Sequence, residues 1–295
     1  MNKKIIFICC TAIALFLLSC GRSERPDNVA LSPDGVDIRF DQQGEGEPTI
    51  IFVHGWTNNR SVWDAQMSYF SRKYRVVAID LPGYGESGFN RENWTMAAFG
   101  KDINTVIKKL NPKKVILVGF SMGGPVIVEA ARNAPENLIG IVIVDALKDV
   151  EMKLTPEMMA AKESAIMEVG ANPTNEKLMA GGFYKHNPEA SFKRVVAMLA
   201  AHKNTSRIGW RESLHETLRW QNEDCIEAIQ KVRVPIISIC SDRKPLNPEA
   251  FKKYVPSYQA KIIPDVGHLV MWDNPEEFNR LLEESIQELL KDFEP

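Results

Sequence analysis

Val115-Ile116-Leu117-Val118-Gly119-Phe120-Ser121-Met122-Gly123-Gly124-Pro125 is the stretch from which the rest of the chain can be read. It begins as a run of β-branched and aliphatic residues, the pattern of a strand buried on both faces. It passes through small residues into Val126-Ile127-Val128-Glu129-Ala130-Ala131-Arg132, which reads as a helix. Gly119, Ser121 and Gly123 give the spacing G-x-S-x-G. Between a strand and a helix, that spacing predicts a nucleophile elbow, a tight turn with a serine at its tip. Glycine suits the positions two before and two after the serine because a side chain at either would collide with neighbouring backbone. The turn lifts the hydroxyl to the start of a helix, where the positive end of the helix dipole favours a developing oxyanion.

Outward from the elbow the chain alternates strands and helices. Upstream, Val36 to Phe40 reads as a strand, Thr49 to Val53 as a buried strand running into His54-Gly55-Trp56, and Arg75 to Ile79 as the next, followed by Asp80-Leu81-Pro82-Gly83-Tyr84-Gly85. Val62, Trp63, Met67 and Phe70 recur at helical spacing over Ser61 to Phe70, and Thr95 is placed to cap a helix ending at Leu110. Downstream, Leu138 to Val144 is a strand closing on Asp145. Residues 148–230 carry no strand pattern; they are rich in Met, Ala and Lys and predict an inserted helical cap. The alternation resumes with Val234 to Cys240, a helix from Pro248, a strand from Gln259 to Ile263, the turn Asp265-Val266-Gly267-His268 and a closing helix from Pro275 to Lys291. The expected fold is α/β, a doubly wound, mostly parallel sheet covered on both faces. Its core spans 36–147 and 231–295, with 148–230 as the cap.

The chain has 295 residues, enough for one large domain with an insertion. Apolar residues make up 44% and charged residues 25%, the balance of a soluble globular protein. A net charge of -2 gives no support to a nucleic-acid partner. The front is different. Lys3 and Lys4 precede an apolar run from Ile5 to Leu18, too short to span a bilayer comfortably, and Leu17-Leu18-Ser19-Cys20-Gly21 follows. This resembles the leader of bacterial lipoproteins. The resemblance implies a signal peptide over 1–19, lipid on Cys20, and a polar tether over 20–35. The partner would then be a membrane, reached through the lipid anchor. Gly21, rather than an acidic residue, resembles the sorting rule for the outer membrane, on its periplasmic or surface side. Cys9 and Cys10 would leave with the leader. Cys225 and Cys240 would remain, read as buried free thiols although an exported compartment permits pairing. No His/Cys cluster has metal-ligand spacing, and neither metal nor cofactor is assigned.

Four pieces in order, His54-Gly55-Trp56, Asp80 to Gly85, the elbow, and Gly267-His268, resemble the α/β-hydrolase fold family over Val36 to Lys291. The resemblance implies Ser121 as nucleophile and His268 as the base that takes its proton and later returns it. It also implies an oxyanion hole from the backbone N–H groups of Trp56 and Met122, with His54 structural beside that loop. Two acids compete. Matching Pro235 and Pro248 to the family pattern without a gap puts Lys244 where the usual acid stands, and Asp242 falls two residues early. Asp145 matches the stretch where some haloalkane dehalogenases carry their acid. Asp145 is preferred and Asp242 kept as the alternative. Ser121-Met122 stands where haloalkane dehalogenases and epoxide hydrolases have Asp, commonly followed by Trp. The expected activity is therefore acyl-enzyme hydrolysis of a carboxylic ester or related small acyl substrate. Cofactor-free haloperoxidase, carbon-carbon bond hydrolase and non-catalytic ligand binding are the alternatives. His186, His202 and His215 read as surface residues of the cap. Met158, Met159, Met167, Met179 and Met198 read as helix core, with an adaptable pocket wall as the other possibility.

Overall fold

The apolar runs of the sequence need cover on two faces, and a single sheet between two helical layers supplies it. The strands are β1 (Val29–Leu31), β2 (Asp37–Gln43), β3 (Thr49–Val53), β4 (Arg75–Ile79), β5 (Val115–Phe120), β6 (Leu138–Val144), β7 (Ile236–Ser241) and β8 (Gln259–Ile263). Their order is β1-β2-β4-β3-β5-β6-β7-β8. Only the β1–β2 and β2–β4 pairs are antiparallel. β3, β5, β6 and β7 are buried at every position. The computed structural model describes residues 26–133, 135–201 and 207–293, so the leader over 1–19, Cys20 and His202 lie outside the described residues.

The helices are α1 (Asp64–Phe70), α2 (Met96–Leu110), α3 (Gly123–Arg132), α4 (Pro156–Ala171), α5 (Asn175–Ala180), α6 (Pro188–Ala201), α7 (Arg207–Glu223), α8 (Cys225–Lys231), α9 (Pro248–Lys252), α10 (Val270–Asp273) and α11 (Pro275–Phe293). Alternation along β5 divides the core. Val115 and Leu117 pack in the layer of α2 and α3, whereas Ile116, Val118 and Phe120 pack in that of α1 and α11. Thr95 caps α2 as its position predicts, accepting from Ala98 N at 3.2 Å. Cys225 and Cys240 are free and buried, and burial pushes both thiols up to about 12.

Three boundaries differ from the sequence expectation. The 20–35 tether does not run to its end: Val29-Ala30-Leu31 adds β1 antiparallel to Asp37-Ile38-Arg39. Three residues are too few to show periodicity, and the partner strand supplies the order. The helix expected over Ser61 to Phe70 starts as a 3-10 turn, Arg60–Trp63, whose cap is the Asn59 side chain, and continues as α1. Finally, α8 lies inside the span predicted as cap yet buries Cys225, Ala228 and Ile229 in the core against α3, where Trp220 of α7 is also buried.

The elbow helix α3 is held by its crossing with α2. At Gly100 a Cβ would fall 2.7 Å from Glu129 Cβ and 2.8 Å from Ala130 N, so the two backbones meet with no room for a side chain. Gly100→Ala should therefore lower the stability to urea by about 1–3 kcal/mol, an overpacking cost, as a shifted midpoint with unchanged slope. A midpoint equal to wild type would mean that α2 can slide without loss.

Candidate active site

Ser121 adopts φ +53°, a left-handed conformation rare for a residue with a side chain. The surrounding backbone enforces it. Ser121 N donates to Val144 O at 3.0 Å, and Gly124 N donates to Ser121 O at 2.9 Å. A Cβ on Gly119 would lie 2.3 Å from Gly123 O, and one on Gly123 would lie 2.6 Å from Val53 O. Both glycines of the elbow are thus required by close backbone approach.

His268 follows β8 and reaches Ser121, with Nε2 2.9 Å from Ser121 Oγ. Its Nδ1 lies 2.6 Å from Asp145 Oδ2. A carboxylate can only accept, so Nδ1–H donates to Asp145 and the bare Nε2 accepts from the serine hydroxyl. The cap fixes this loop: His268 N donates to Gly182 O and Leu269 N to Phe183 O, both at 2.8 Å. Gly267 is needed there because a Cβ would fall 2.5 Å from Tyr184 Cα. Phe120 and Phe183 flank the imidazole, with centroids 4.7 and 6.1 Å away.

Asp145 ends β6 at φ +44° with a fully buried side chain. Its Oδ1 accepts from Ser241 N, Ser241 Oγ and Lys148 Nζ, each at 2.8 Å. Burial works against ionisation of this carboxyl, but the hydrogen bond and charge of His268, with the charge of Lys148, outweigh it and hold the group well below the usual carboxylate range. Asp242 is not brought to the histidine. It is exposed, and its Oδ2 accepts from Asp265 N at 3.1 Å. As the alternative acid it is therefore corrected: the carboxylate of Asp242 is engaged at the Asp265 backbone, and the oxygen that meets His268 Nδ1 belongs to Asp145. Neither Lys148 nor Ser241 belongs to a motif; Lys148 reaches back to Asp145 from three residues on, and the pairing of β6 with β7 brings Ser241 to it.

The loop after β3 passes against the elbow, for a Cβ on Gly55 would lie 2.9 Å from Ser121 Cβ. Trp56 follows on this loop, and Met122 caps α3. His54 is buried. Its Nε2 accepts from Leu81 N at 3.0 Å, so Nδ1–H donates to Gly55 O at 2.8 Å and pins the loop. An aromatic wall lies on this side. Trp56 Nε1 donates to Trp210 O at 2.7 Å, and Tyr84 stacks on Trp210 at 6.4 Å while its hydroxyl meets Ser213 Oγ at 2.6 Å. The cap methionines differ in burial: Met158 and Met179 are exposed, Met159 and Met167 half-buried, and Met198 buried in the core. His186 and His215 are exposed and face Asp265 and Glu163. Among the described residues no group of three His, Cys, Asp or Glu is arranged to hold a metal. A cavity of about 340 Å³ lined by Ser61, Asp64, Arg194 and Trp272 lies away from Ser121.

A sequence model described as the alpha/beta hydrolase fold matches residues 48–275. The chain belongs to the α/β-hydrolase fold family. Among its relatives, the AB hydrolase superfamily protein YisY of Bacillus subtilis is 24% identical over 84% of this chain and 94% of its own. The bifunctional esterase/perhydrolase DCH of Acinetobacter calcoaceticus is 26% identical over 69% of this chain and 77% of its own. The esterase EaEST of Exiguobacterium antarcticum is structurally similar, with a TM-score of 0.74 at 21% identity over 88% of this chain and 99% of its own.

The hydrogen bond from His268 to Asp145 can be seen directly. Proton NMR of the protein should contain a strongly deshielded imidazole N–H resonance. It should vanish in Asp145→Ala and persist in Asp242→Asn. Persistence in Asp145→Ala would assign the proton to another acceptor.

Proposed function

We propose that the protein is a serine hydrolase that cleaves a carboxylic ester, or a related small acyl substrate, through an acyl-enzyme. The observation that carries the reading is the unbroken chain of hydrogen bonds from Ser121 Oγ through His268 to Asp145, set on a strained elbow. A serine hydroxyl is a weak nucleophile until a base within reach takes its proton. His268 Nε2 takes it as Oγ attacks the substrate carbonyl, and Asp145 fixes the tautomer and stabilises the imidazolium. The carbonyl oxygen becomes an oxyanion, held by the backbone N–H groups of Met122 and Trp56 at the N-terminal end of α3. The imidazolium then gives its proton to the leaving alcohol. Water, deprotonated by the same histidine, attacks the acyl group, and collapse returns the proton to Ser121 and releases the acid.

The esterase named among the structural neighbours and the esterase/perhydrolase among the relatives support this reading. The second name points to the route the same acyl-enzyme could take with hydrogen peroxide in place of water. Geometry favours turnover over plain ligand binding, because a binding site has no need for a strained serine aimed at an oriented imidazole.

With a short p-nitrophenyl ester as substrate, Ser121→Ala should lower kcat by several orders of magnitude in a protein of unchanged thermal stability. Asp145→Asn should cost about a thousandfold or more, as substitutions that free the wrong tautomer do, and Asp242→Asn should cost little. Near-normal hydrolysis by folded Ser121→Ala would overturn the mechanism.

The leader and Leu17-Leu18-Ser19-Cys20 support a second part of the proposal, an exported bacterial lipoprotein held at the outer membrane through Cys20. Cells fed a palmitate analogue should label the wild-type protein and not Cys20→Ala. An unlabelled wild type would leave an enzyme without this anchor.

A further inference from the structure

The turn after β7 places two cations, Arg243 and Lys244, beside the site. Arg243 lies along Gly182, where a Cβ would fall 2.6 Å from Arg243 Cδ, and its Nη1 donates to Gly181 O at 3.2 Å. Gly182 is the residue whose carbonyl holds His268 N, so the guanidinium stem flanks the backbone that seats the imidazole. Arg243 Nε is buried and has no hydrogen-bond partner among the described residues. Lys244 follows it and lies within electrostatic reach of Asp145 and Lys148. Lys162 comes from the cap helix α4 and feels the charges of Lys244 and Arg243.

Lys244 thus lies within electrostatic reach of Arg243, Lys148 and Lys162, beside the backbone that Arg243 contacts, and the neighbouring carboxylates are accounted for. Asp145 serves Lys148, with Ser241 and His268 filling the rest of its capacity. Glu163, beside Lys162 on α4, is turned to Arg211 and His215. Asp149 accepts from Asn247 Nδ2 and Glu151 N, and Asp242 from Asp265 N. Among the described residues no carboxylate forms an ion pair with Lys162, Arg243 or Lys244. Burial and the neighbouring positive charges push both the Lys162 and the Lys244 ammonium groups down. Lys244 is nonetheless exposed to solvent. Like charges brought together and partly desolvated destabilise the fold. An arriving anion would remove that repulsion.

We propose that Arg243, Lys244 and Lys162 form an anion-binding subsite that selects substrates carrying a carboxylate or phosphate group away from the scissile ester bond. The inference rests on the acyl-enzyme reading for what is hydrolysed and adds the chemical class of the substrate. The aromatic wall of Trp56, Tyr84 and Trp210 lies on the oxyanion-loop side, whereas Arg243 flanks the backbone that holds His268 and Lys244 is within electrostatic reach of Asp145, so the site has one apolar and one cationic border.

The test measures binding and turnover separately on the whole protein. Calorimetry with glutarate and with inorganic phosphate reads binding, and inhibition of neutral p-nitrophenyl butyrate hydrolysis at constant ionic strength reads its location. At least one anion should bind in the millimolar range or tighter and inhibit competitively; the tighter of the two identifies carboxylate or phosphate as the group preferred. Neutral glutaramide should do neither. The double variant Lys162→Gln/Lys244→Gln should weaken the preferred anion about tenfold, and added salt should weaken it in the wild type. Arg243→Gln, if folded, should act in the same direction. Neither anion binding better than glutaramide, while the ester is turned over, would overturn the subsite and leave the hydrolase reading standing. Lysine-dependent anion binding without ester turnover would do the reverse. Binding that the double variant leaves unchanged would also reject the subsite.

Discussion

The steric constraint at Ser121 governs the rest of the structure. A residue with a side chain sits at φ +53° only because three strands and a helix leave it no other path. Gly119 must pass under Gly123 O, and Gly123 must pass over Val53 O, so β3, β5 and the start of α3 are locked together at one point. The hydrogen bond from Ser121 N to Val144 O adds β6 to the same knot. Strain of this kind persists where the surroundings over-determine it, and four buried parallel strands with helices on both faces provide that excess. The knot also sets geometry for free. The ends of β3 and β6 are held against the elbow, which places Gly55 and Asp145 on either side of the serine.

This explains how the carboxylate that meets His268 can stand at the end of β6 rather than after β7. Both strands end on the same edge of the sheet, and β6 pairs with β7 through Val144 and Ile239. An imidazole arriving from the β8 turn meets whichever carboxylate is presented there. Asp145 is presented rigidly, since its N donates to Ile239 O and its Oδ1 is held by Ser241 on the neighbouring strand. The turn after β7 is then released from the task, and it carries Arg243 and Lys244 instead. The gapless placement of Lys244 at the usual acid position, read from the sequence, reports that same exchange.

What was legible in the sequence was what local rules encode. Buried strands show as apolar runs, Thr95 shows as a cap, and the elbow shows as glycine spacing whose cause is local backbone crowding. Ser121 could be nominated from the elbow, Asp145 because it directly ends β6, and His268 because it sits in the Gly-His turn after β8. The choice between Asp145 and Asp242 needed the path of the β7 turn, which no periodicity records. β1 was missed because its order comes from its partner, and α8 was assigned to the cap because burial against α3 is a long-range fact. The cationic border, which joins α4 to the turn after β7, was invisible for the same reason, and the pairing of Lys148 with Asp145 three residues before it has no periodicity to announce it. A lysine in a Lys-rich helical stretch reads as solvated until its neighbours are known.

Lys148 bears on how Asp145 would work as the proposed acid. Its Nζ also donates to Ser241 O at 2.7 Å and Ser241 Oγ at 2.9 Å, so it is a strut between two strand ends as well as a counter-charge. A buried ion pair adds little net stability, because desolvation of both groups offsets their attraction. It does add orientation. With Oδ1 occupied by three donors, the carboxylate cannot rotate, and Oδ2 is aimed along one line at Nδ1. In the proposed mechanism the imidazolium touches Oδ2 directly, while Lys148 meets the far oxygen, so attraction to the nearer carboxylate outweighs repulsion from the more distant ammonium. The same arrangement makes the acid hard to remove cleanly. Truncation to Ala would leave Lys148 with only the Ser241 oxygens, whereas Asn keeps the shape and one acceptor. Activity loss in the Asn variant therefore reports tautomer and charge, and the further loss of stability in the Ala variant reports the strut.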